Sequence, residues 1–226
     1  PVSFHGSKKR QPDSRFFPCP LFGPVGGWRP VAIVRIVANS DSPYCFNMPL
    51  LALLLLMACR DLPPQGLDLD GKSVAPFESD ATATVLVFVQ TDCPVSNRYA
   101  PTLSRLHDRF APQGAVFWHV YPNRGESPEA IRAHRRDYDL KGHVARDVHH
   151  ILVERTSVSV TPEAVVFGRR GNIVYKGRID NRYTAFDQVR PTATRHDLAD
   201  AIEALLADRI PPTSDTRAIG CFISDL

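Results

Sequence analysis

Short apolar runs alternate along this chain with segments that carry an apolar residue every three or four positions. Residues 84–90 (TVLVFVQ) form a continuous β-branched and aromatic run, the pattern of a strand buried on both faces. Residues 97–110 place Tyr99, Leu103, Leu106 and Phe110 at intervals of four, three and four, which predicts an amphipathic helix. Residues 115–121 (AVFWHVY) read as a second central strand. A helix start follows, with Ser127 as N-cap, Pro128 in the first position and Glu129 in the first turn, leading through Ile131 to Tyr138. A short strand is predicted at 143–147 and a short helix at 148–155. Residues 164–167 and 173–175 flank a turn at Gly171-Asn172, a hairpin pattern. Thr194 and Asp197 have capping-box spacing ahead of Leu198, Ile202, Leu205 and Leu206. With a short strand and turn at 67–71, the order predicts an α/β fold: a central mixed sheet flanked by helices, ending in a hairpin and a C-terminal helix.

The first 59 residues stand outside this pattern. Residues 1–47 show no sustained period and hold seven of the 20 prolines. The apolar run at 50–58 is far short of the roughly 20 residues that a membrane-spanning helix needs, and fits the core of an export signal. Leu56-Met57-Ala58-Cys59 is similar to a bacterial lipobox, which implies lipidation of Cys59, export and attachment to a membrane through that lipid. Residues 1–59 are therefore read as an upstream segment, 1–47, followed by signal and lipobox. Residues 60–226 are read as one domain with a Pro/Thr/Asp-rich tail, 211–226, expected to be flexible.

Composition narrows the classes. Hydrophobic residues at 43% and charged residues at 23% exclude general disorder, collagen-like repeats and a polytopic membrane protein. Five cysteines are too few for a disulfide scaffold. Residues 1–47 carry six basic against two acidic groups, net +4, while the whole chain is +3, so the remainder carries −1. The positive balance lies upstream of the domain, and no nucleic-acid partner is expected. With Cys19 and Cys45 upstream and Cys59 assigned to a lipid, Cys93 and Cys221 remain for redox work.

Cys93 follows the first central strand and opens a helix. That corner presents free N–H groups and a positive dipole end that favour a thiolate, where α/β proteins keep their sites. A thiol there drops from about 8.5 to between roughly 3.5 and 7.5. The position equally suits a buried, inert cysteine.

The segment TDCPVSNRYAP resembles the thioredoxin-like active-site helix, with Pro101 eight residues after the Cys. VTPEAVVF resembles the strand entry that carries a cis-proline opposite the reactive Cys, which assigns that role to Pro162. DLDGKSVAPF and VLVFVQTDCP resemble the redoxin group, the alkyl hydroperoxide reductase/thiol-specific antioxidant family. DCPVSNRYAP, TPE, VYKGRIDNRY and a terminal GC-x-I resemble its bacterial extracytoplasmic branch. The resemblance covers about residues 65–226. It implies a thioredoxin-like fold and a thiol-dependent oxidoreductase in which the Cys93 thiolate attacks a peroxide or a protein disulfide, without a cofactor or metal. Thr161 then presents its backbone to an incoming extended peptide.

Three departures matter. Ser96 stands where a thioredoxin motif has its second Cys, Gln90 and Leu86 where a peroxiredoxin motif has Thr and Pro, and Asn97 where a Sco-type copper carrier has its second Cys. Cys221 is a candidate resolving thiol, with a static disulfide or an unpaired tail Cys as alternatives. Thr91 and Asp92 stand next to Cys93, and a carboxylate so close opposes thiolate formation, so Asp92 is read as pointing outward or serving in proton transfer. Arg98, Arg178 and Arg182 are candidates to stabilise a thiolate or bind substrate, or are solvated surface charges. His149-His150 beside Asp147 fits a helix start with one His packed and one exposed better than a metal site. The rival readings are a non-enzymatic binding module with Cys93 as a relic, and a copper carrier. The sequence does not choose between oxidants or fix the reductant or the oligomeric state.

Overall fold

The structure, a computed structural model, describes residues 65–224 and 226. The expectations for the apolar run at 50–58, for Cys59, Cys19 and Cys45, and for residues 1–47 lie outside the described residues.

Two short strands, β1 (Gly66–Leu67) and β2 (Ser73–Val74), open the fold around a turn in which Asp68 Oδ1 accepts the N–H groups of Asp70 and Lys72, each at 2.8 Å. Then come β3 (Ala83–Phe88), α1 (Pro94–Phe110), β4 (Ala115–Tyr121), α2 (Pro128–Asp137), β5 (His143–Arg146) and α3 (Ile151–Thr156). The C-terminal half runs β6 (Val160–Thr161), β7 (Glu163–Gly168), β8 (Ile173–Gly177), β9 (Tyr183–Ala185), β10 (Gln188–Val189), α4 (Asp197–Leu206) and β11 (Cys221–Phe222). Seven strands form one sheet in the order β2-β1-β5-β4-β3-β7-β8, with β3, β4 and β5 parallel and β7 and β8 antiparallel. The sheet is mixed and flanked by helices, a thioredoxin-like fold, as the sequence implied.

All six residues of β3 are buried because alternate side chains enter opposite cores. Val85 and Val87 pack with Tyr99, Leu103 and Phe110 of α1 and with Leu198 and Ile202 of α4. Leu86 and Phe88 pack on the other face with Val120, Leu152 and Val153. Each large side chain buried this way contributes about 1.5–3 kcal/mol. The apolar stripe read from the sequence, Tyr99 to Phe110, is the buried face of α1.

Three helix starts are corrected. Helix α1 starts at Pro94, three residues before the predicted 97, because Cys93 caps it. Helix α3 starts at Ile151 rather than 148, since His150 is left-handed at φ 58 and the Asp147 carboxylate accepts Val153 N–H at 2.8 Å. Thr194 does not cap α4. Its N–H and that of Arg195 go to Asn181 Oδ1 at 2.8 and 3.0 Å, Asp197 turns to Arg178, and the helix begins at Asp197. These long-range partners replace the local capping bonds.

The tail, expected to be flexible, is hydrogen-bonded to the domain. Lys176 N donates to Ser214 O at 2.9 Å, Thr216 N to Lys176 O at 3.0 Å and Ile223 N to Ser159 O at 3.2 Å, and β11 pairs antiparallel with β6. Ile223 is buried in the Leu86 core. Two glycines permit the approach: a side chain at Gly177 (φ +140) would strike Thr216, and one at Gly220 would strike the Thr161 carbonyl.

Candidate active site

Cys93 stands at the carboxyl edge of β3 as N-cap of α1, where the first-turn N–H groups have no helical partner. Ser96 N–H donates to its sulfur at 3.4 Å, and the thiol in turn donates to Thr161 O at 3.1 Å. The Thr161–Pro162 peptide is cis. Strand β6 thus brings Thr161 and Pro162 to Cys93.

Strand β11 brings the second thiol. Cys221 sits opposite Thr161 in the β6–β11 register, and Thr161 O accepts from the Cys93 thiol, so the two free cysteines are neighbours. Burial alone would raise the Cys93 thiol, but hydrogen bonds from Cys221 and Ser96, through side chain and backbone, outweigh it and hold Cys93 below its ordinary value. Cys221 is pushed up to about 12, first by burial, then by the bond to Cys93 and by the charges of Cys93 and Asp92. The pair therefore ionises asymmetrically, with the negative charge on Cys93 and the proton on Cys221. Ser96 Oγ is buried and has no hydrogen-bond partner among the described residues.

The loop before Cys93 is held by groups that the sequence did not single out. Thr91 N–H donates to Glu126 Oε1 at 2.6 Å, and Thr91 O accepts from Asn97 Nδ2 at 3.1 Å. Asn97 Oδ1 must then be the acceptor at its 2.8 Å contact with His134 Nε2, so His134 Nδ1 accepts the Tyr121 hydroxyl at 2.9 Å. This chain needs neutral His134, and burial lowers its pKa accordingly. Burial raises the carboxyl of Glu126, although its bonds to Thr91 oppose this. Gln90 joins three strand ends: its Oε1 accepts from Thr161 Oγ1 at 2.8 Å and its Nε2 donates to Phe222 O at 3.4 Å.

The structure places the other predicted positions as follows. Thr91 bonds to neither sulfur and instead anchors the loop. Arg98 is exposed on α1, Arg178 is held by Asp197 at 2.8 Å, and the Arg182 backbone bonds to Asp180. None of the three donates to a sulfur among the described residues; the donor to Cys93 is the Ser96 N–H. The Thr161 backbone, expected to receive an incoming peptide, is paired with Cys221. Asp92 is exposed. His149 is exposed, whereas His150 is buried with Nε2 at 2.9 Å from Pro122 O. Ser96 and Asn97 were visible in the sequence only as departures from other motifs. Glu126, directly before the Ser127 cap, gave no signal.

The profile of the AhpC/TSA family matches residues 61–176. No curated protein matches the chain. Among solved structures, an uncharacterized conserved protein from Geobacillus kaustophilus is similar at 26% identity and a TM-score of 0.63, over 72% of this chain and 88% of its own. A hypothetical protein from Sinorhizobium meliloti is similar at 24% identity and a TM-score of 0.59, over 70% of this chain and 88% of its own.

Proposed function

This chain belongs to the AhpC/TSA family, and from that premise we propose that it is a thiol-dependent oxidoreductase in which Cys93 is the nucleophile and Cys221 the resolving thiol. The observation that carries the reading is the β6–β11 register, which sets Cys221 opposite Thr161, the residue whose carbonyl accepts from the Cys93 thiol at 3.1 Å. With a peroxide, the Cys93 thiolate attacks one oxygen, the O–O bond breaks, and Cys93 becomes a sulfenic acid while the alcohol or water leaves with a proton. The Cys221 sulfur then attacks Cys93, the S–O bond breaks, and the departing hydroxide takes the Cys221 proton to form water. With a disulfide, the first product is a mixed disulfide, and Cys221 displaces the bound thiolate. Both routes end in a Cys93–Cys221 disulfide. The lipobox-like run ending at Cys59 supports placing the protein outside the cytoplasm, tethered to the membrane through a lipid on Cys59, in a compartment that sustains such disulfides.

The test is mass mapping of the reduced full chain after exposure to hydrogen peroxide or to oxidised glutathione. A Cys93–Cys221 disulfide is expected with at least one of them. Cys93→Ser should abolish it, and Cys221→Ser should stop at a sulfenic acid or a mixed disulfide on Cys93. If both thiols stay free with both oxidants, the proposal is lost.

A further inference from the structure

Cys93 is 1% exposed, whereas Cys221 lines a cavity of about 1070 Å³ between the tail and strands β8 and β9, with Lys176, Phe186 and Phe222 also in its wall. A second cavity of about 580 Å³ adjoins it, and Thr184, Arg217 and Ile219 belong to the walls of both. The second wall carries Arg178, Arg190, Arg195 and Arg217 and no acidic side chain. Glu163 and Asp215 line only the first cavity. Asp197, buried behind these arginines, holds Arg178 at 2.8 Å and Arg195 at 3.5 Å. Arg190 and Arg217 make no ion pair among the described residues. In the same wall Tyr183, 5% exposed, has a buried hydroxyl without a hydrogen-bond partner. Four guanidiniums set against one shared carboxylate leave a positive hollow, and guanidinium forks suit carboxylates.

We propose that the two cavities form one site for a low-molecular-weight thiol that carries carboxylate groups: its anionic end lies among Arg190, Arg217 and their neighbours, and its sulfur meets Cys221. The inference rests on the Cys93–Cys221 reading above. A small molecule fits better than an extended protein segment, because β11 already fills the Thr161 edge on which such a segment would pair. In the reducing direction, the incoming thiolate attacks the Cys221 sulfur, the Cys93–Cys221 bond breaks, and Cys93 leaves as a thiolate. A second thiolate then attacks the sulfur of the bound molecule, releasing its disulfide and the Cys221 thiolate, which takes a proton. Two thiols are oxidised and one protein disulfide is reduced.

The test reduces the oxidised full chain at low ionic strength with mercaptosuccinate, neutral 2-mercaptoethanol and cationic cysteamine, each rate normalised to its thiolate fraction. Mercaptosuccinate should be faster than mercaptoethanol by about tenfold, with cysteamine slowest, and added salt should erase the order. The mercaptosuccinate/mercaptoethanol ratio should fall by about tenfold in Arg190→Ala/Arg217→Ala. Rapid acid quench and peptide mapping should place the mercaptosuccinate adduct on Cys221. A ratio near one, a ratio untouched by the double substitution, or an adduct on Cys93 overturns the inference and leaves the proposed function standing. If oxidation yields no Cys93–Cys221 disulfide, both fall together, an outcome recognised by the thiols staying free before any reductant is added.

Discussion

At the scale of residues, the chemistry of Cys93 is set by its immediate donors. Burial works against a thiolate, and the hydrogen bonds of Ser96 and Cys221 reverse the balance. Removing the Cys221 donor in Cys221→Ala leaves burial less opposed, so the Cys93 ionisation midpoint should move upward, read from thiolate absorbance near 240 nm against pH. An unchanged or lower midpoint would show that the Cys221 thiol does not stabilise the anion. Cys93 and Pro162 were legible because each sits in a motif of contiguous residues. The stabilising groups were not. Arg98 and Arg178 are obvious cations, yet charge in a sequence carries no distance, and the hydrogen bond to the Cys93 sulfur comes from the backbone N–H of Ser96. Thr91 was singled out for its nearness to Cys93, whereas its observed contacts are with Glu126 and Asn97.

At the scale of elements, the decisive piece is the two-residue strand β11. Gly220 precedes it because any side chain there would strike the Thr161 carbonyl. Gly220→Val should therefore lift the strand away from β6. Alkylation of Cys93 by iodoacetamide should then accelerate by at least about tenfold, the effect of about 1.4 kcal/mol on a local opening equilibrium, and Cys93–Cys221 disulfide formation should slow. Equal alkylation rates in variant and parent would mean that the docked tail does not shield Cys93. The long elements were readable because burial imposes a period on them: 3.6 for α1, and a continuous apolar run for β3 between two cores. The tail has no such period, and its Pro/Thr/Asp composition reads as loop. The capping pattern at Thr194 misled for a related reason, since Asn181 outcompetes the local helix for the same backbone donors.

At the scale of the whole molecule, buried ionisable groups couple stability to pH. His119 lies in β4 with neither ring nitrogen hydrogen-bonded, and burial lowers it from 6.5 to about 3. The unfolded chain therefore binds a proton at this site that the folded chain refuses, and this contribution to stability falls as pH drops from 6.5 towards 3. Glu126, Asp147 and Glu163, raised by burial, pull the other way. They are common to parent and variant, so His119→Leu isolates the histidine: its urea midpoint should fall less than the parent's between pH 6.5 and pH 4. Parallel midpoints in the two proteins would exclude His119 as the source of acid sensitivity. By itself the sequence determined the order of long strands and helices, the strand-to-helix corner at Cys93 and the cis-proline after Thr161, because these follow from local period and contiguous motifs. Only the tertiary structure decided that the tail is a strand, that Cys221 meets Cys93 across 128 positions, and that four arginines share one hollow. The physical reason is that β pairing is made by backbone N–H and C=O groups, which nearly every residue possesses alike, so the choice of partner leaves no mark in the side-chain pattern.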